Sequence, residues 1–163
     1  MVTSTGLVAR VPHSAVLTSH NARVLLVEDD PGDRLLVEEV FDEHGASGNL
    51  RAVEDGALAL DYLHQRGDFA DSPRPDLILL DLNLPKVNGR EVLEEIKKDP
   101  SLTPIPVIVL TTSAAEEDVI RAYAAQASAY VTKHLNWDAL SVAVRRIGTF
   151  YLDIARLPRQ QEN

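Results

Sequence analysis

The chain has 163 residues, 45% of them hydrophobic and 25% charged, the balance of one ordinary globular domain able to bury roughly two thirds of its unfolded surface. It contains no cysteine, which excludes disulfides, thiolate metal sites and cysteine nucleophiles and leaves its chemistry to oxygen and nitrogen. A formal net charge of -9 argues against coating a phosphate backbone, and no apolar run reaches the ~18 residues of a membrane span, so neither nucleic acid nor membrane is an expected partner.

Residues 1–21 mix Ser, Thr and Val without a sustained period and read as a flexible N-terminal extension. They lack the basic start and continuous apolar core of a secretory signal, so a cytoplasmic location is expected. The domain proper is expected over residues 22–157, followed by a tail at 158–163.

The first strand is predicted at 23–28, ending in Glu28-Asp29-Asp30. Asp30-Pro31 is a capping acid followed by proline at the first helical position, which opens a helix over 31–44 that Gly45 stops. A strand at 49–54 and a helix at 56–66 follow, then a turn-rich loop from Gly67 to Pro75. The third strand, 76–81, is an apolar run that ends on Asp81 and passes at once into the turn Asn83-Leu84-Pro85-Lys86-Val87-Asn88-Gly89. Helix 89–98, strand 105–110 with Thr111-Thr112 at its end, helix 114–126 and strand 128–132 with Lys133 at its end come next, before a last helix at 137–156.

This alternation implies an α/β fold: a doubly wound, parallel five-stranded sheet of flavodoxin-like order 2-1-3-4-5, with helices on both faces. The reversal in strand order then falls between strands 1 and 3. Those strands carry Glu28-Asp29 and Asp81, so topology brings the three acids together at the carboxyl edge, where open α/β sheets bind ligands.

Carboxylates so placed repel one another unless a cation joins them, and an all-oxygen cluster that keeps several waters suits Mg²⁺. Taken alone, Glu28-Asp29-Asp30 is equally a solvated turn and cap, Asp81 an acid opening a polar loop, and Lys133 an amine snorkelling off a strand. As an ordered set they suit phosphoryl transfer: Asp81 as nucleophile, Mg²⁺ and Lys133 neutralising phosphoryl oxygens, and Thr111 donating a hydrogen bond.

Val27-Glu28-Asp29-Asp30-Pro31, Asp76 to Pro85, Val109-Leu110-Thr111-Thr112-Ser113 and Ala129-Tyr130-Val131-Thr132-Lys133 resemble a response regulator receiver domain. Gly67-Asp68-Phe69, Arg74-Pro75-Asp76, Leu110 to Asp118 and Phe150-Tyr151-Leu152 are further similar to the small regulators that partner phytochrome histidine kinases. The resemblance implies that Asp81 accepts a phosphoryl group from such a kinase. It implies that Glu28, Asp29, Asp81 and the backbone carbonyl of Asn83 hold Mg²⁺, and that Thr111 and Lys133 bind phosphoryl oxygens. Tyr130 is then the switch aromatic that follows Thr111, or else an ordinary strand-face aromatic. One departure stands out: His134 follows Lys133 where family members usually carry proline with a cis bond.

Leu140, Val144, Ile147, Tyr151 and Ile154 form one apolar stripe along the last helix. At about 20 residues, that helix spans about 30 Å and outruns a strand of about 17–20 Å, so its Phe150-Tyr151-Leu152 end is expected to project. We expect a homodimer whose interface includes Tyr130, Ile147, Phe150, Tyr151 and Ile154, and no DNA-binding domain after Pro158. Two alternatives to the switch remain: a scaffold with the fold but no phosphorylation, and a phosphatase of the haloacid dehalogenase type. The latter needs Asp-x-Asp on its first strand, whereas Asp81-Leu82-Asn83 follows the third. The histidines His13, His20, His44 and His64 lack metal-ligand spacing, so zinc is not expected.

Overall fold

In the computed structural model, which describes residues 21–158, short apolar runs and helical segments alternate as the sequence pattern requires. The strands are β1 (Val24–Val27), β2 (Leu50–Val53), β3 (Leu77–Leu80), β4 (Val107–Thr111) and β5 (Ala129–Thr132). The helices are α1 (Pro31–Glu43), α2 (Gly56–Leu63), α3 (Gly89–Lys98), α4 (Glu116–Ala124) and α5 (Trp137–Gly148). Every strand pair is parallel, and the order is β2-β1-β3-β4-β5. Nearly all of the expected N-terminal extension and C-terminal tail lies outside the described residues.

The central strands are buried on both faces, which is why they read as unbroken apolar runs rather than alternating ones. Successive side chains nevertheless sort to opposite faces. Leu25, Val27, Ile78, Leu80, Val107 and Val109 pack on the side of α2, α3 and α4. Val24, Leu26, Leu77, Leu79, Ile108 and Leu110 pack on the side of α1 and α5, with Phe41 and Leu140.

Two glycines fix the loop that follows β3. A Cβ at Gly89 would stand 2.0 Å from the Asp81 carbonyl oxygen and 2.6 Å from Leu82 Cα, and one at Gly56 would stand 1.8 Å from the Val87 carbonyl oxygen. The loop is thus clasped between the first turns of α2 and α3. Gly89 N–H also donates to Leu82 O at 2.9 Å, and Lys86 reaches the buried Asp55 carboxylate at 2.9 Å.

The last helix differs from expectation. It is α-helical only to Gly148 and continues as a π-helical turn over Thr149–Ile154, where Ala155 N–H donates to Phe150 O at 2.7 Å. A π turn adds about one residue per turn, so the α-helical stripe slips out of phase after Ile147. Leu152, five residues on, faces the core and is fully buried, while Ile154 is 67% exposed. Leu152 therefore does not project, Tyr151 is half-buried against the core, and Ile154 is the member of the expected stripe that leaves it.

Candidate functional site

Strand register assembles the site. Val27 pairs with Leu80, so Glu28 and Asp81 leave β1 and β3 side by side, and Asp81 N–H donates to Val27 O at 3.0 Å. On the other flank Thr111 pairs with Thr132, and Lys133 N–H donates to Thr111 O at 2.7 Å. Four strand ends thus deliver two carboxylates, a hydroxyl and an ammonium to one edge.

These groups are buried where polar side chains rarely are: Glu28, Asp81, Thr111 and Lys133 are each no more than 6% exposed. Lys133 Nζ donates to Asp81 Oδ2 at 2.9 Å, to Asp33 Oδ2 at 3.0 Å and to Glu28 Oε2. Asp81 Oδ1 accepts from the Asn83 N–H at 3.0 Å, which orients the carboxylate from its other side. Thr111 Oγ1 accepts a long bond, 3.5 Å, from Ser113 N–H.

Burial is the largest influence on Glu28, pushing its carboxyl up to about 7 against the pull of the Lys133 ammonium. Burial alone would lower the Lys133 pKa, yet Glu28 and Asp81 outweigh it and hold the ammonium well above the ordinary lysine range. The amine is therefore charged at any physiological pH.

Oxygen atoms of Glu28, Asp29 and Asp81 lie within 4.8 Å of one another, with Asp29 exposed beside the two buried acids. With Asp33 the edge carries four acids against one ammonium. That surplus of hard oxygen donors fits a divalent cation of the Mg²⁺ or Mn²⁺ type, and the exposed position of Asp29 leaves room for retained water.

Asp30 caps α1 as expected, accepting from the Asp33 N–H at 2.9 Å. Every peptide bond among the described residues is trans, including Lys133–His134, and Lys133 still reaches Asp81. His134 is exposed. Tyr130 is half-buried, and its hydroxyl donates to the Ser113 carbonyl at 2.8 Å. Ser113 in turn donates to Asp118 at 2.5 Å, and Asp118 takes a forked pair from Arg90 at 3.0 and 2.7 Å. This network ties β5 to α4 and α3. The sequence pattern does not announce it, because its members lie on four separate segments. Asp33 was also missed, though an acid in the first turn of a helix that opens beside the acid pair was a usable signal.

Of the expected interface residues, Tyr130 is half-buried and Phe150 and Ile154 are half-exposed or more. Ile147 is 8% exposed and packs within the core.

The response regulator receiver domain model matches residues 24–145. Response regulator Rcp1 of Synechocystis sp. is 48% identical over 135 residues, covering 83% of this chain and 92% of the relative. The Mn²⁺-bound form of Rcp1 superposes with a TM-score of 0.80 at 47% identity, covering 85% of this chain and 99% of that one. The phosphorylated cyanobacterial phytochrome response regulator RcpA gives a TM-score of 0.82 at 45% identity, with the same coverage.

Proposed function

The chain belongs to the response regulator receiver domain family, and from that premise we propose that Asp81 is its phosphoacceptor, charged by a histidine kinase of the phytochrome class. Receiver domains are signalling phosphoacceptors rather than enzymes that turn over an external substrate, and they hold a divalent metal in their acidic pocket. The observation that carries the assignment is the Lys133 ammonium at 2.9 Å from an Asp81 carboxylate that is itself buried beside a second acid.

In the proposed reaction an Asp81 carboxylate oxygen attacks phosphorus, the bond from phosphorus to the donor breaks, and the leaving group departs with its electron pair. The chain's own residues do the electrostatic work. Asn83 N–H fixes one Asp81 oxygen, Lys133 neutralises a phosphoryl oxygen, and Thr111 donates to another. Glu28, Asp29, Asp81 and the Asn83 carbonyl would hold Mg²⁺, which when bound offsets the charge of the incoming group. Thr111 and Tyr130 meet at Ser113, so a pull on Thr111 reaches the Tyr130–Asp118–Arg90 network. That is the route by which the acceptor biases a surface.

The surface proposed is a homodimer face on α4, β5 and the end of α5, where Ile120, Tyr123, Phe150 and Ile154 are exposed. Residence in the cytoplasm, beside the kinase and its nucleotide, completes the proposal. Among the described residues no helix is long and apolar enough to cross a membrane.

The test is to incubate the wild type and Asp81→Asn with Mg²⁺ and a small-molecule phosphodonor, then measure intact mass and elution from a sizing column. A phosphoryl adduct on the wild type alone supports the reading. No adduct on folded wild type, with either this donor or the kinase, would favour the unphosphorylated scaffold.

A further inference from the structure

Lys133 has three N–H donors, and the structure spends all of them on carboxylates: Glu28, Asp81 and Asp33. A lysine fully engaged in this way has none left for a phosphoryl oxygen. One contact must therefore open before Lys133 can grip an incoming phosphoryl group.

Exposure identifies which one. The side chains of Glu28, Asp81 and Lys133 are 2%, 7% and 3% exposed, whereas that of Asp33 is 25% exposed. A carboxylate at the rim recovers water when it lets go, while one in the interior would be left unsolvated. Asp33 is the partner that yields at least cost.

The local backbone explains why Asp33 is there at all. In a capping box the side chain at the third position of a helix, usually Glu or Gln, reaches back to the N–H of the capping residue. Here the Asp30 N–H donates instead to Glu28 Oε1 at 3.0 Å, so that role is filled. The Asp33 carboxylate is released from capping and turns to Lys133.

We propose that Asp33 is a latch for phosphoryl transfer at Asp81, a positioning residue that occupies one N–H of Lys133 in the resting protein and must release it to the phosphoryl group. This rests on the assignment of Asp81 as phosphoacceptor. The latch sets a resting barrier: it keeps the ammonium aimed at Asp81 while making it compete for the incoming group.

The test compares wild type, Asp33→Asn, Asp33→Ala, Asp33→Glu and Asp81→Asn, each at saturating Mg²⁺ with a small-molecule phosphodonor, following adduct formation by intact mass. Saturating metal removes any change in cation affinity from the comparison. Folding is preserved because the helix cap uses the Asp33 N–H and not its side chain. Asp33→Asn and Asp33→Ala should acquire phosphate about fivefold faster, the factor that corresponds to the stronger end of partly exposed ion pairs, and Asp33→Glu should stay near wild type. In a Lys133→Met background the residual rate should not respond to Asp33→Asn, which a merely structural role for Asp33 would not predict. Equal or slower phosphorylation of Asp33→Asn, or equal acceleration without Lys133, would overturn the latch. If the wild type forms its adduct, that failure leaves the Asp81 assignment intact. If it forms none, both readings fall together.

Discussion

Replacing Lys133 by Met keeps much of the buried stem and removes the charge. The ammonium it removes is the direct partner of two interior carboxylates, Glu28 and Asp81, and of Asp33 at the rim. Deleting one partner of a buried charge pair typically costs about 3–5 kcal/mol, because the other charge is left unpaired in a poor solvent. The lower end applies here, since Glu28 already titrates at about 7 with the ammonium present and escapes by taking a proton once it is gone. Metal-free Lys133→Met should therefore lose about 3 kcal/mol at pH 7.5, moving the urea midpoint by roughly 1.5 M at an m-value of about 2 kcal/mol/M. A divalent cation supplies the missing positive charge, so saturating Mg²⁺ should shrink the loss to about 1 kcal/mol or less. The assay is urea unfolding of both proteins in chelator and in Mg²⁺. A loss that is the same in both conditions, or absent in chelator, refutes the argument that Lys133 and the cation neutralise the same carboxylates.

Because the folded pKa of Glu28 is raised to about 7 from an ordinary 4.5, the folded state binds the extra proton in that window, and stability falls as pH rises through it. Metal-free wild type should lose up to about 3 kcal/mol between pH 4.5 and 7 that Glu28→Gln does not lose, and paired denaturation curves across that range read the difference. Leu152→Ala removes a fully buried side chain of the π turn and should cost about 2–5 kcal/mol, whereas Ile154→Ala, on the exposed side, should cost under about 1 kcal/mol. Equal costs in thermal melts would mean that the turn is an ordinary α-helix. Gly89→Ala drives a methyl group to 2.0 Å from the Asp81 carbonyl oxygen and should destabilise by about 3 kcal/mol or more. It should also slow phosphorylation of the surviving folded protein, because the only relief is to move the backbone that carries Asp81.

The sheet was legible because its central strands are short apolar runs and four of the five strands end on a chemically distinct residue. Strand order brought Glu28 and Asp81 together without any need to see a side chain, and the register of Val27 with Leu80 is the physical form of that inference. The end of the last helix was not legible. The spacing of Leu140, Val144, Ile147, Tyr151 and Ile154 assumes a constant 3.6-residue period, and the π turn after Gly148 breaks that assumption in favour of Leu152. Asp33 could be placed in the first turn of the helix beside the acid pair, but its partner could not be read. Its role depends on Glu28 having taken the Asp30 N–H, a competition among side chains that a linear pattern does not carry.

The glycine clasp makes the two sides of this edge unequally tolerant of substitution. On one side, the loop after β3 is wedged so tightly between α2 and α3 that neither Gly56 nor Gly89 can accept even a methyl group. On the other, α4 contributes only Ala122 to the buried interior and presents Ile120 and Tyr123 to solvent. On the proposed function, mutations on the wedged side would disturb the acceptor, while mutations at the exposed α4 positions would change the proposed docking face. Such a domain could exchange one listener for another through a single helix while keeping its proposed phosphate chemistry.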